Sequence, residues 1–220
     1  MIKRAVSALL NLLYPNIGCC GCGREAALSQ SAYFCPACNA KLCYLHAPSA
    51  LAEGIFAFSV VEYKPPVSLM IQKLKYDGAR YLSPALGSLL LRAYPLPNFP
   101  ADALSAVPIH PRRQKQRGFN QSDLLAACLS EQTGLPLLQG LSRRINTPPQ
   151  TGLSAEKRRQ NVQNAFLATK EVQGKHILLI DDVLTTGSTI RECARALLLS
   201  GAAGVSALCV AKSIPEDHRP

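Results

Sequence analysis

Two stretches of this chain combine residue types and spacings that imply chemistry. The first is Cys19-x-x-Cys22, followed after twelve residues by Cys35-x-x-Cys38. A two-residue gap lets one tight turn aim two thiolates at one ion, and two such turns complete a tetrahedron. Pro15, Gly18, Gly21, Gly23 and Pro36 supply turn chemistry around the sulfurs. Zinc is the ion this spacing fits. Four protein ligands leave no open coordination position, so the site would be structural. Cys20 and Cys43 stand nearby, and Cys43 could substitute for one of the four. The alternative to a metal is a set of free or redox-active thiols.

The second stretch is His176-Ile-Leu-Leu-Ile-Asp181-Asp182-Val-Leu-Thr185-Thr186-Gly187-Ser188-Thr189. An apolar run of strand length ends in two adjacent acids, and a hydroxyl-rich loop then opens a helix. In an open α/β sheet, ligands bind outside the carboxyl end of such a strand. Backbone N–H groups and hydroxyls at a helix N-terminus suit a phosphate. The acids would repel a phosphate directly. They make sense holding hydroxyl groups, or water on a metal, a short distance away. A sugar phosphate offers that pattern. No Lys follows the glycine, which excludes a nucleotide P-loop, and the glycine spacing of a dinucleotide site is absent. The bland alternative is an N-cap beside a solvated acidic turn.

The elements that must position these groups follow from hydrophobic pattern. Residues 1–16 read as a short helix ending at Pro15, and residues 17–46 lack periodicity. Residues 47–54 read as a connector. Ile55 to Tyr63 is strand-like, and Pro66 opens a helix through about Tyr76. Tyr81 to Tyr94 reads as a helix and Ala103 to Val107 as a strand. Residues 108–120 form a basic loop. Ser122 to Thr133 reads as a helix with Leu124, Leu125, Cys128 and Leu129 on one face. Residues 140–161 are polar and basic, and Asn164 to Ala168 is a strand. His176 to Ile180, Thr189 to Ser200 and Val205 to Ala211 make a βαβ unit, with Gly201 ending the helix. Cys128, Cys193 and Cys209 fall on apolar faces and read as core residues.

Composition narrows the class. The chain has 220 residues, 48% apolar and 17% charged, enough to bury a core. Nine cysteines, an odd number and clustered, fit a reducing cytoplasm better than a disulfide framework. The apolar run from Ala5 to Leu13 is short, is broken by Ser7 and Asn11, and lacks a cleavage site, so a secretory signal is not expected. No uninterrupted apolar stretch is long enough to insert in a membrane. The net charge of +10 implies an anionic partner. Between residues 101 and 160, nine basic side chains face four acids. Pyrophosphate stabilisation, nucleic-acid binding and a merely solvated face are the three explanations. Phe119 is the only aromatic in the basic run 108–120, so a base-stacking platform has little support there.

Residues 177–189 resemble the phosphoribosyl-pyrophosphate (PRPP) signature of type I phosphoribosyltransferases. The pattern is four apolar residues, two acids, two apolar residues, then Thr-Thr-Gly-x-Thr. Further stretches narrow the likeness: the four-cysteine cluster, Leu74-Lys75-Tyr76-Asp77-Gly78, Val107-Pro108-Ile109-His110-Pro111-Arg112-Arg113, Arg117-Gly118-Phe119-Asn120-Gln121-Ser122 and Arg158-Arg159-x-Asn161-Val162. Together they resemble the ComF family, which takes in competence proteins and the related GntX-type proteins. The resemblance covers nearly the whole chain.

It implies an α/β fold: a type I phosphoribosyltransferase-like parallel sheet flanked by helices over residues 51–220. A small zinc-ribbon-like module would occupy residues 1–50. Asp181 and Asp182 would hold the ribose hydroxyls of PRPP and favour the positive charge that develops on the ring. Thr185, Thr186, Gly187, Ser188 and Thr189 would cradle its 5′-phosphate. Two segments are candidates to close over the pyrophosphate, one around His110, Arg112 and Arg113, the other with Arg143, Arg144 and Arg158. Mg²⁺ would accompany PRPP and stabilise the leaving group. Two functions compete. One is PRPP-dependent ribosyl transfer to an acceptor the sequence does not name. The other is an accessory role in DNA uptake, on single-stranded DNA and beside the competence machinery, with PRPP as a sensor ligand or none.

Overall fold

The computed structural model describes residues 18–24, 33–96, 99–145 and 165–214. The expected N-terminal helix of residues 1–16 lies outside them. The centre is a six-stranded sheet in the order β1-β2-β8-β7-β3-β4. Its strands are β1 (Ser49–Ala52), β2 (Ile55–Glu62), β3 (Ala103–Ala106), β4 (Leu137–Leu138), β7 (His176–Leu184) and β8 (Gly204–Lys212). The β2–β8, β8–β7, β7–β3 and β3–β4 pairs are parallel, and only β1 runs antiparallel, to β2. A separate antiparallel pair joins β5 (Leu141–Arg143) to β6 (Phe166–Ala168).

Side chains alternate across the central strands, as extended backbone dictates. On β7, Leu178 and Ile180 face one core while Ile177 and Leu179 face the other. On the first face pack α2 (Val67–Tyr76), α3 (Ser83–Ala93) and α5 (Gln121–Thr133), through Leu74, Leu86, Leu90, Leu125 and Leu129. On the second pack α6 (Ser188–Leu199) and the β5–β6 pair, through Ile190, Cys193, Leu197, Leu141 and Phe166. Both faces are covered, which is why β7 and β8 are near-continuous apolar runs.

Several features differ from expectation. The connector at 47–54 contains β1, an edge strand too short and mixed to show a period. The basic loop contains α4 (Pro111–Arg117), seven residues with no buried face. His110 caps it, accepting from Arg112 N at 3.2 Å, Pro111 begins it, and Gly118 at φ 77° ends it. The strand expected at 176–180 continues through both acids to Leu184, because β8 pairs alongside as far as Lys212. On α5, only Leu125 and Leu129 of the expected face are buried, while Leu124 and Cys128 are half-buried.

The N-terminal segment docks on the first face. Pro36–Asn39 forms one helical turn, α1. Tyr44 bridges Val61 of β2, with Glu62 N donating to Cys43 O at 2.8 Å and Leu45 N to Val60 O at 2.9 Å. Among the described residues no helix is long and apolar enough to cross a membrane.

Candidate functional site

Asp181 and Asp182 lie near the carboxyl end of β7, and two helices converge on them. Ser122, in the first turn of α5, donates its hydroxyl to Asp181 Oδ1 at 2.9 Å. The same oxygen accepts from Asp182 N at 2.9 Å. Asp182 is 3% exposed, and its Oδ2 lies 2.8 Å from Lys75 Nζ of α2. The two carboxylates therefore meet different partners, Ser122 of α5 at Asp181 and Lys75 of α2 at Asp182. Burial, and then the charge of Asp182, push Asp181 up to about 7. Burial works against the Lys75 ammonium, but the Asp182 carboxylate outweighs it and holds the amine above its ordinary value.

The motif Arg117–Ser122 has a local reason at each position. Arg117 donates to Gln121 Oε1 at 3.2 Å and lies over the Tyr76 ring at 5.2 Å. Phe119 is buried under the Arg80 guanidinium at 4.5 Å. Asn120 caps α5, accepting from Ser122 N and donating to Val107 O at 3.1 Å. That bond ties the start of α5 to the end of β3 and aims Ser122 at Asp181. A cavity of about 190 Å³ is lined by Ile109, Asn120, Asp123, Leu138 and Arg143 among others, and neither acid of the pair lines it.

The loop from Thr185 to Gly187 leads into α6. Thr185 is exposed, Thr186 and Thr189 are half-buried, and Ser188 is 3% exposed. Thr186 and Ser188 share a hydroxyl hydrogen bond of 2.8 Å. Arg191, one turn into α6, donates to Ser188 Oγ at 3.3 Å and to Leu51 O at 3.4 Å. It brings a cation to the loop, and its place three residues after Ser188 is the signal that would have found it. Gly187 has φ 72°, and a Cβ there would stand 2.5 Å from Leu51 Cδ2. Gly187→Ala therefore strains the left-handed backbone and displaces the Leu51 side chain. The expected loss is about 1–2 kcal/mol, read as a lower melting temperature.

The basic candidates separate. Arg112 and Arg144 are exposed and Arg113 is half-buried. Arg143 is 8% exposed, with its guanidinium 5.3 Å from the Phe166 ring centre, inside the wall of the cavity. The His110 ring nitrogen is taken by the cap of α4. Arg158 lies outside the described residues. Lys75 and Ser122 both sit in motifs quoted above, yet their contact with the acid pair depends on how α2 and α5 pack on the sheet.

The sulfurs of Cys19, Cys22, Cys35 and Cys38 all lie within 4.8 Å of one another. Tetrahedral zinc–thiolate bonds of about 2.3 Å would set sulfurs about 3.8 Å apart; Cys22 and Cys35 stand at 4.0 Å. Cys35 N donates to Cys19 Sγ at 3.2 Å. Burial opposes the Cys19 thiolate, but backbone N–H groups of Cys35, Cys22 and Gly21 bring it down to about 6. This donor set fits a metal. Cys43 is instead turned to Lys41 O at 3.8 Å, and Cys20 packs at the edge of the first core.

Comparison with known proteins agrees with this architecture. The phosphoribosyl transferase domain family matches residues 113–218. DNA utilization protein YhgH of Escherichia coli O157:H7 is 35% identical over 211 residues, covering 89% of this chain and 90% of its own. Competence protein F of Haemophilus influenzae is 33% identical over 197 residues, covering 81% and 83%. Among solved structures, the glutamine PRPP amidotransferase of B. subtilis, complexed with ADP and GMP, aligns with a TM-score of 0.41 at 23% identity. That alignment spans 59% of this chain and 26% of the other. Parallel sheet, acid-bearing strand and matched domain define a protein of phosphoribosyltransferase type. Within that class, the chain belongs to the ComF family of competence and DNA utilization proteins.

Proposed function

We propose that the chain is a cytoplasmic protein of DNA utilization that binds PRPP with Mg²⁺ at Asp181 and the Thr185–Thr189 loop. The observation that carries this is the position of a half-buried carboxylate, Asp181, a few residues before a hydroxyl-lined helix N-terminus. A phosphate on the loop places vicinal ribose hydroxyls toward that carboxylate. Mg²⁺ would arrive with the pyrophosphate and neutralise its charge. Arg112, Arg113 and Arg144 would meet the same leaving group, with Arg158 as a further candidate, and exclusion of water would suppress hydrolysis. The cavity lined by Asn120, Asp123 and Arg143 is the candidate space for the acceptor of ribosyl transfer. The Cys19, Cys22, Cys35 and Cys38 site would hold structural zinc, in a module spanning residues 1–50 ahead of the domain at 51–220.

Calorimetric titration of PRPP with Mg²⁺ into zinc-loaded protein tests this, with ribose 5-phosphate and pyrophosphate as comparators. Micromolar binding of PRPP, tighter than either fragment, is expected. No heat from a folded protein would leave the fold as a scaffold.

The names of the relatives and the charge of +10 favour a second activity, binding of single-stranded DNA beside partners of the competence machinery. If phosphate contacts dominate, a plot of log affinity against log salt falls with a slope of about −0.7 per phosphate contact. Fluorescence anisotropy of a labelled oligonucleotide across a salt series checks it. A flat plot would remove the electrostatic basis of that activity.

A further inference from the structure

We infer that Lys75 is the positioning residue of the acid pair: its ammonium holds the Asp182 carboxylate in the wall of the site and leaves the pair with one net negative charge. The sugar-phosphate site proposed above enters only through the consequence for ligand binding.

Two acids adjacent on one strand repel each other, and the repulsion grows as water is removed. The fold places Asp182 in the interior, where an uncompensated carboxylate is destabilising by several kcal/mol. Lys75 Nζ at 2.8 Å from Asp182 Oδ2 supplies the compensation. The lysine side chain is itself only 21% exposed, so the pair is shielded from solvent and from salt. The arrangement settles which acid can meet a ligand. Asp182 is 3% exposed and engaged with Lys75, whereas Asp181 is less deeply buried, with Oδ1 fixed by Ser122.

The charge count matters because PRPP is a polyanion. Two uncompensated carboxylates would oppose its approach, while the triad of Asp181, Asp182 and Lys75 presents half that charge. Other groups do not supply the compensation to Asp182. The Cys193 and Cys209 thiols, on α6 and β8, are pushed well up by burial and stay neutral. Arg143 on β5 acts on Asp181 from the opposite face but stacks on Phe166. Tyr63, beyond β2, lies near Lys75 and brings no cation to the pair. The motif Leu74–Gly78 thus carries one charge aimed at the site, between a buried Leu74 and the Tyr76 ring under Arg117.

The test is a carboxyl ¹³C NMR titration of the ligand-free, zinc-loaded protein, with Lys75→Met and Lys75→Arg beside the wild type. Calorimetry with PRPP and Mg²⁺ follows on each. In Lys75→Met the upper titration midpoint of the two acids rises by at least about one unit, and PRPP binding at pH 8 weakens about tenfold or more. Lys75→Arg keeps the charge and restores most of both. If Lys75→Met does not fold, Lys75→Met/Asp182→Asn removes the buried charge as well and should fold, with Asp181 titrating as a single group. An unmoved midpoint in folded Lys75→Met, or no rescue by arginine, overturns the inference. A moved midpoint without PRPP binding by the wild type would leave the Lys75 pairing standing and remove the sugar-phosphate reading instead.

Discussion

Asp181→Asn weakens binding of PRPP with Mg²⁺ about a hundredfold and, at pH 8, makes the protein more stable. The first effect follows from removing a charged acceptor of sugar hydroxyls, since hydrogen bonds to charged groups contribute about 1.5–3 kcal/mol. The second follows from burial. Asp181 is pushed up to about 7 from an ordinary carboxylate value of 3.8, first by burial and then by Asp182. The folded state therefore holds a proton that the unfolded state has released. The favourable contribution is complete below the unfolded value and is lost as pH rises through about 7. At pH 8 the folded protein carries an ionised, poorly solvated carboxylate beside a second one. Asparagine keeps the oxygen that Ser122 and Asp182 N contact and removes that charge. The expected gain at pH 8 is on the order of 1–2 kcal/mol, or about 2–8 °C in melting temperature for a chain of this size. The gain shrinks as pH falls toward 4. Thermal melts at pH 5 and pH 8 check the sign. A loss of stability at pH 8 would show that Asp181 is a structural carboxylate rather than one kept for a ligand.

Removing metal from the four-cysteine site should be the largest single change in stability. Structural zinc binding in small modules contributes on the order of 10 kcal/mol. The segment it would brace has little core of its own: Cys19, Cys38 and Leu42 are its buried apolar residues among those described. Cys19→Ser or Cys38→Ser should lower zinc content from one ion per chain to near none. Each should also open the segment to limited proteolysis, while the parallel sheet stays folded. Cys20→Ser and Cys43→Ser should leave zinc content unchanged, because neither sulfur joins the cluster. Metal analysis by emission spectroscopy, paired with proteolysis, distinguishes the cases. Full zinc in the Cys19 variant would mean a different ligand set. No zinc in the wild type, with disulfides forming under mild oxidation, would return the cluster to redox thiols.

Much of this architecture was legible in the sequence because it is encoded locally. The apolar run before Asp181, the hydroxyls after it and the periodic face of α6 lie within one short stretch, and buried parallel strands announce themselves by continuous apolar character. The cysteine pairs are legible for the same reason. Helix α4 has no apolar period, but His110, Pro111 and Gly118 are its cap, its first residue and its stop, and those signals were available. Strand β4 has only two residues and β1 four, too few to show alternation. Ser122 reads from sequence only as an alternative to Asn120 for the cap of α5, and Lys75 only as part of the Leu74–Gly78 motif. Their partners on β7 are remote in sequence, and only the packing of α2 and α5 against the sheet brings them together.

The acid pair was legible in kind but not in arrangement. Two consecutive acids read as two equivalent holders of hydroxyls. Packing divides them, one bonded to Ser122 of α5 and one paired with Lys75 of α2.

The most direct test of the central claim is an amide and carboxyl chemical-shift map of the isotope-labelled, zinc-loaded protein, titrated with PRPP and Mg²⁺. The predicted result is saturable shifts concentrated on the amides of Thr185 to Thr189 and on the Asp181 carboxyl, absent in Asp181→Asn. Shifts elsewhere on the surface, or none at saturating PRPP, would contradict a sugar-phosphate site at the end of β7.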